Sequence, residues 1–203
     1  MLFILSGPSG SGKSTLTQKV LAQVDNISFS ASHTTRPKRR SELEGKNYYF
    51  ISEKEFKNMI ANKEFLEWAI VHGNYYGTSK KEIEEKIKNG DVLMDIDVQG
   101  ARQIKSKFKE AIFIFVLPPS FEELKRRMVT RGEEESFSIQ KRLEIAKQEI
   151  KCYKDFDYII INDKLNKAVE ELASIIIGQR CRRHLREEVV KKIIATFSEE
   201  INQ

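Results

Sequence analysis

The sequence predicts an α/β fold, a parallel sheet flanked by helices with a β-rich lobe inserted into it. Three observations predict this. Strand-like and helix-like segments alternate towards both ends of the chain, the order that right-handed βα units require. The run Ile112 to Leu117 is continuously apolar, as in a central parallel strand covered on both faces. Between about Ser32 and Thr78 short strands and turns break that rhythm, which marks an insertion.

Met1 to Leu5 is a short apolar run and forms the first strand. It leads into Gly7-Pro8-Ser9-Gly10-Ser11-Gly12-Lys13-Ser14, the pattern G-x-x-x-x-G-K-[ST]. Thr15 to Leu21 follows as a helix, with Leu16, Val20 and Leu21 at helical spacing. The glycines let successive N–H groups point inward around a phosphate, and the helix N-terminus adds its positive dipole end. Lys13 can reach a β/γ-phosphate and the Ser14 hydroxyl can ligate Mg²⁺. Strand, glycine-rich turn and helix in that order predict a P-loop NTPase-like core. The triphosphate-binding set is Gly7, Pro8, Ser9, Gly10, Ser11, Gly12, Lys13, Ser14 and Thr15.

Ile27 to Ser32 alternates with period two and reads as one strand. His33 to Glu42 is a polar, basic loop broken by Pro37. Tyr48 to Ile51 is a short strand, and Ser52 with Glu55 forms a capping box for a helix whose apolar face is Phe56, Met59 and Ile60. Phe65 to Val71 is a strand, Gly73-Asn74 turns, and Tyr75 to Thr78 completes a hairpin-like unit. Ser79 caps the helix Lys80 to Asn89, which Gly90 ends. Val92 to Asp97 is an apolar strand closing on two carboxylates. Pro118-Pro119 stops the Ile112 strand, and Ser120 caps a helix holding Leu124 and Met128. Arg131 to Ser136 is a charged break before a helix from Ile139 to Ile150. Tyr158 to Ile161 is the last strand, ended by Asn162-Asp163, and one helical region runs from Leu165 onward.

The chain has 203 residues, 40% hydrophobic and 32% charged, enough for one α/β domain with a sizeable core. Its net charge of +5 suits a polyphosphate substrate. The basic residues cluster at Arg36 to Arg40 and Arg180 to Arg186 rather than along one face, which argues against a nucleic-acid partner. Cys152 and Cys181 lack metal spacing and read as reduced thiols of a cytoplasmic protein. No apolar run approaches a membrane span, and the five-residue apolar start does not read as a signal peptide.

Asp95 and Asp97 close a core strand, and ligands of parallel sheets bind at the carboxyl ends of strands. Asp95 is therefore the natural outer-shell partner of Mg²⁺. Alternation puts Asp97 on the same side, where it could instead cap the next helix. Arg36, Arg39, Tyr48 and Tyr76 combine guanidinium forks with uncharged phenol donors, a phosphate-reading set; by itself the loop also reads as a solvated basic segment. Glu67, between Leu66 and Trp68, falls on the solvent face by alternation.

The chain resembles guanylate kinases. The likeness rests on Ser30-x-Ser32-x-Thr34-Thr35-Arg36, the spacing of Arg36, Arg39 and Glu42, and Glu64-Phe65-Leu66-Glu67-Trp68-Ala69. It extends through Gly73-Asn74-Tyr75-Tyr76-Gly77-Thr78, Asp95-Ile96-Asp97-Val98-Gln99-Gly100, Arg131-Gly132, Lys141-Arg142-Leu143 and Asn162-Asp163. The match spans residues 2 to 178. It implies ATP + GMP ⇌ ADP + GDP with Mg²⁺ as cofactor and dGMP as an alternative acceptor. It implies GMP binding by Ser32, Arg36, Arg39, Glu42, Tyr48, Glu67, Tyr76, Thr78 and Asp97, with guanine on Ser32, Glu67, Thr78 and Asp97. Lys13, Arg127, Arg131 and Arg142 become the catalytic set, the last two on a mobile lid, while Asn162 lies where the family holds adenine. The implied divisions are a core of residues 1–31, 92–128 and 145–178, a GMP-binding lobe of residues 32–91, a lid of residues 129–144 and a helical tail of residues 179–203. His33 and Ser41 depart from the family, which often has Ser and Gly there; Ser41 would restrict the loop if that position needs a positive φ.

Guanylate-kinase-like domains also serve as catalytically silent phosphopeptide-binding modules, and a different P-loop kinase or nucleic-acid ATPase shares the loop. The intact Lys13 and lid arginines favour the enzyme. In the tail, Leu185, Val189, Ile193 and Phe197 recur every four residues beside Val190 and Ile194. Such a stripe must cover apolar surface, either on its own subunit or on a partner in a homo-oligomer through the tail, and the length of the stripe favours the oligomer.

Overall fold

The computed structural model describes residues 1–130 and 136–200. The first elements are β1 (Leu2–Ser6), α1 (Lys13–Leu21), β2 (Ile27–Ser30), β3 (Ser32–Thr34), β4 (Tyr48–Phe50) and α2 (Glu53–Ala61). Next come β5 (Phe65–Val71), β6 (Asn74–Ser79), α3 (Lys80–Asn89), β7 (Asp91–Asp95), α4 (Val98–Lys107) and β8 (Ile112–Leu117). The chain continues through α5 (Phe121–Thr130), α6 (Ser136–Glu149), a 3-10 turn (Ile150–Asp155), β9 (Tyr158–Ile161), α7 (Leu165–Arg180) and α8 (Arg183–Glu200).

Five strands make a parallel sheet in the order β2-β7-β1-β8-β9. Alternation along β1 feeds two cores. Phe3 and Leu5 pack with Leu16 and Val20 of α1 and with Leu172 and Ile176 of α7. Leu2 and Ile4 point the other way, to Ile83 of α3 and Ile104 of α4. Every apolar residue of β8 from Ile112 to Val116 is buried, which is why its sequence shows no period. β1 lies between β7 and β8, so the loop after it opens at the centre of the carboxyl edge, where parallel sheets bind ligands.

The second sheet has the order β4-β3-β6-β5, with β3 parallel to β4 and the other pairs antiparallel. It is fastened to the first by α4, which packs on β5. Ser52 caps α2 as expected, Glu55 N–H donating to its Oγ at 3.2 Å and Glu55 Oε2 accepting from Ser52 N–H at 2.8 Å.

Four sequence expectations are corrected. Ile27 to Ser32 is not one strand: β2 ends at Ser30 in the core sheet, and β3 starts at Ser32 in the other. The β5–β6 turn is His72-Gly73, both with positive φ (49° and 82°), rather than Gly73-Asn74. The region from Leu165 onward is two helices, broken at Cys181-Arg182. Gln179 and Arg180, assigned to the tail, are tied to the core: Gln179 Nε2 donates to Tyr158 Oη at 2.6 Å and Arg180 Nε to Asp91 Oδ2 at 2.7 Å. Arg131 and its neighbours to Glu135 lie outside the described residues. Among the described residues no helix is long and apolar enough to cross a membrane.

The family departures are accommodated. His33 packs its ring on Tyr49, centroids 4.7 Å apart, with Phe65 at its edge. Ser41 is not among the residues of positive φ, so that position does not demand glycine.

Candidate active site

The loop between β1 and α1 is built to hold anions. Gly12 caps α1 at φ 94°, a left-handed conformation, and a Cβ there would lie 2.3 Å from Asn162 Nδ2. Lys13 Nζ donates to the carbonyls of Gly7 at 2.8 Å and Pro8 at 3.3 Å, which sets the ammonium inside the curl of the loop. Ser14 Oγ donates to Asp95 Oδ2 at 3.3 Å, joining the first helical turn to the carboxyl end of β7. A hydroxyl and a carboxylate so placed are the hard oxygen donors that Mg²⁺ takes. Thr15, next on α1, is exposed.

Asn162 and Arg127 support this loop from behind. The buried Asn162 amide donates to Ser11 O at 2.8 Å. Arg127 donates from Nε to Glu123 Oε1 at 2.7 Å, from Nη2 to Asn162 O at 2.8 Å and from Nη1 to Ser11 O at 3.4 Å. Both residues therefore bond the Ser11 carbonyl of the loop; the family resemblance implies Asn162 at adenine and Arg127 near the phosphates.

Helix α6 reaches Ser9 twice. Arg142 Nη2 donates to Ser9 Oγ, and the Glu149 carboxylate lies near the Ser9 N–H. Burial pushes the Glu149 carboxyl above the ordinary range, against the pull of Lys13, the Ser9 N–H and Arg142 beside it. Sequence reasoning missed Glu149. Its signal is the seven-residue spacing from Arg142, two helical turns along one face.

A second cluster lies on the smaller sheet and the loop after β3. Glu42 grips the Arg36 guanidinium in a two-point pair, at 2.7 Å (Oε1 to Nη2) and 3.0 Å (Oε2 to Nη1), and Glu42 Oε2 also accepts from Arg39 N–H at 2.8 Å. Arg36 Nε donates to Tyr76 Oη at 3.1 Å, and its guanidinium stands 5.4 Å from the Tyr48 ring centre. Burial acts to lower the Arg36 pKa, but Glu42 and Tyr76 outweigh it and the guanidinium stays charged. Burial and the nearby Asp95 carboxylate push the Tyr48 phenol up, so it remains a neutral donor. Asp95 thus bonds Ser14 and acts electrostatically on Tyr48.

Deeper in the lobe, Ser32, Thr78 and Glu67 form a buried polar chain. Ser32 Oγ and Thr78 Oγ1 are 3.2 Å apart, and Thr78 Oγ1 donates to Glu67 Oε1 at 2.7 Å. Glu67 is 3% exposed, against the solvent face that alternation predicts. The cause is an irregularity in the β5–β6 ladder between Phe65 and Glu67, which turns three successive residues inward. Burial first, and Asp97 next among the groups that raise it, lift the Glu67 carboxyl to about 7 despite the Thr78 hydrogen bonds and Lys107. Asp97 lies past the end of β7 and caps α4, accepting from Gly100 N–H at 2.9 Å; it is both a cap and a neighbour of Glu67.

A glycine-rich loop after β1 and an arginine–tyrosine cluster near Asp95, at the carboxyl edge of a parallel sheet, are the arrangement of a P-loop phosphotransferase. The comparisons specify which. The guanylate kinase family model matches residues 1–179, and the chain belongs to the guanylate kinase family. It is 46% identical over 183 residues to a guanylate kinase of Geobacter metallireducens, covering 90% of each chain. It is 42% identical over 199 residues to that of Coxiella burnetii, covering 98% of this chain and 97% of that one. The crystal structure of guanylate kinase from Anaplasma phagocytophilum superposes with a TM-score of 0.76 at 34% identity, over 90% of this chain and 87% of that one.

Proposed function

We propose that the chain transfers the γ-phosphoryl group of ATP to GMP or dGMP, giving ADP and the nucleoside diphosphate. The observation that carries this reading is the buried Glu67 carboxylate on its Thr78–Ser32 chain. Guanine presents N1–H and the N2 amino group side by side, two donors that one carboxylate accepts together. Asp97, Thr78 and Ser32 complete the base site. Arg36, Arg39, Tyr48 and Tyr76 take the GMP phosphate, with Glu42 fixing the fork of Arg36.

Phosphoryl transfer leaves a protein little covalent work, so catalysis is positioning and charge stabilisation. The loop from Gly7 to Ser14 cradles the triphosphate and Lys13 neutralises its β/γ oxygens. Ser14 and Asp95 would hold Mg²⁺, which would supply positive charge to the phosphates when bound. Arg142 on α6, and Arg131 beyond the described residues, bring further positive charge to the transferring group. An acceptor oxygen that is already a phosphate anion needs no strong base. Closure of the lid over both nucleotides excludes water as a competing acceptor. This reading places the enzyme in the cytoplasm, where the nucleotides are, and needs neither nucleic acid nor membrane.

A coupled ADP-release assay across nucleoside monophosphates tests the proposal. Turnover is expected with GMP and dGMP and not with AMP, CMP or UMP. ADP release of similar rate with no acceptor would point to a plain ATPase, and GMP binding without turnover to a silent module.

Gly100 offers a narrower test of the base site. A Cβ at this position would lie 2.3 Å from Glu67 Oε2, and alanine otherwise favours a helix. Gly100→Ala must therefore displace the carboxylate. Losing a charge-assisted hydrogen bond costs about 1.5–3 kcal/mol, so the KM for GMP should rise at least about tenfold. The KM for ATP should hold, and steady-state kinetics that showed both rising together would contradict the assignment.

A further inference from the structure

A cavity of about 640 Å³ opens between α3, the end of α4 and the start of β5, and none of the nucleotide-site residues named above lines it. Its size falls within the range of small-ligand sites, about 300–1,000 Å³. From α3 it takes Lys80, Ile83, Glu84, Ile87 and Lys88, which follow the spacing of one helix face. Leu66 of β5, with Lys107 and Phe108 at the end of α4, completes the lining. Leu66 and Ile83 are buried, whereas Ile87 and Phe108 are each 37% exposed, because no described side chain fills the space beside them. Three ammonium groups and one carboxylate accompany this apolar surface. Lys80 Nζ donates to Lys63 O and Lys107 Nζ to Leu66 O, both at 2.7 Å, so two of the cations rest on neutral carbonyls. An ammonium carries three donors, and one carbonyl does not exhaust it. Such a lining complements an anionic head on an apolar body. A cationic head on the same body meets repulsion, and a small anion gains nothing from the apolar side chains. The cavity also adjoins the base site. Leu66 directly precedes Glu67 in β5, and the Lys107 charge draws the Glu67 carboxyl down against the effect of burial. An anion that takes up the Lys107 ammonium withdraws that support.

We propose that this cavity binds a single-chain carboxylate of the fatty-acid class, its chain against Ile83, Ile87 and Phe108 and its head on the lysines, and that filling it weakens GMP binding. The effect on GMP rests on the acceptor-site reading given above; the site itself does not. Linkage makes the effect reciprocal, so GMP weakens carboxylate binding by the same factor. Decanoate below its micellar concentration is the probe, titrated by calorimetry into the full chain without nucleotide. One equivalent should bind. Acetate, which lacks the chain, and decyltrimethylammonium, which has the wrong charge, should not. Lys88→Glu reverses a lining charge, and Ile87→Asp sets a carboxylate among the apolar side chains. Each should weaken decanoate at least about tenfold, as like charges brought together do, and leave kcat and the KM for GMP unaltered in its absence. Absence of binding, or equal binding of decyltrimethylammonium, overturns the site. So does binding that survives both variants, which would place decanoate elsewhere, for example on the exposed apolar residues of α8. Saturating decanoate should raise the KM for GMP by about fivefold or more in the unaltered chain, with the KM for ATP unchanged. An unchanged KM for GMP with decanoate bound overturns the coupling. A chain that binds decanoate but never turns over GMP would refute the acceptor reading, and with it the coupling, while supporting the site.

Discussion

Lys13→Ala is expected to remove turnover, by on the order of 10³-fold or more, the scale on which cations stabilising a transferring phosphoryl group act. GMP binding should stay near its original strength. The expectation follows from where the ammonium lies. Its nitrogen sits between the carbonyls of Gly7 and Pro8, at the focus of a loop whose remaining groups are backbone dipoles. No other side chain reaches that position from within the loop. The acceptor site, by contrast, is built on β3, β4, β5 and β6, on the segment following β3 and on Asp97 after β7, which do not include Lys13. Calorimetry with GMP alone and a turnover assay with both nucleotides separate the two effects. Near-normal turnover in the variant would sink the assignment of this loop to the donor.

Glu67→Gln is expected to cost most of the GMP activity, and the wild type to prefer GMP over AMP by on the order of 10⁴, as sites do that leave buried polar groups unpaired with the wrong ligand. Adenine puts a bare N1 lone pair where guanine has N1–H, and it lacks the N2 amino group. The carboxylate would then face a lone pair in a buried site. Gln retains one acceptor but turns an NH₂ towards two donors. The same residue makes a pH test. With its carboxyl raised to about 7, Glu67 holds a proton below that pH, and guanine binding requires it ionised. Affinity should therefore weaken about tenfold for each pH unit below 7, relative to Glu67→Gln at the same pH, a ratio that cancels the titration of the GMP phosphate. The sign for folding is the opposite one. A raised carboxyl favours the protonated fold, so its contribution to stability is lost as pH rises from the ordinary carboxylate range towards 7. Comparable use of AMP, or a Glu67→Gln enzyme that keeps rate and selectivity, would refute the base assignment.

The parallel core was legible because its signals are local. An unbroken apolar run reports a strand covered on both faces, and a glycine loop followed by helical spacing reports the donor site. Where the sequence misled, the cause was non-local. Glu67 is turned inward by a ladder irregularity that depends on how β5 meets β6, and no period along β5 contains that information. Ile27 to Ser32 alternates without interruption, yet its two halves join different sheets. Glu149 acts through a helix face two turns from Arg142 and meets Ser9, 140 positions away in sequence, only after folding. The acceptor residues were legible chiefly through the family likeness. Arginines and tyrosines on a loop read as a solvated segment until the fold gathers Arg36, Glu42, Tyr48 and Tyr76 around one point.

The pairing of Arg36 with Glu42 bears on how an anion can enter at all. The guanidinium already has a two-point carboxylate partner, Lys13 has two carbonyls, and Arg127 has Glu123 and two further carbonyls. Binding a nucleotide is therefore an exchange reaction, in which an incoming oxygen competes with one the protein supplies itself. A single free anion such as chloride or sulfate gains little from that exchange. A nucleotide arrives with phosphate, sugar and base tethered together, so each displaced internal contact is replaced at high effective concentration. The internal carboxylates thus act as a threshold, raising the number of simultaneous contacts a ligand must offer before it can stay.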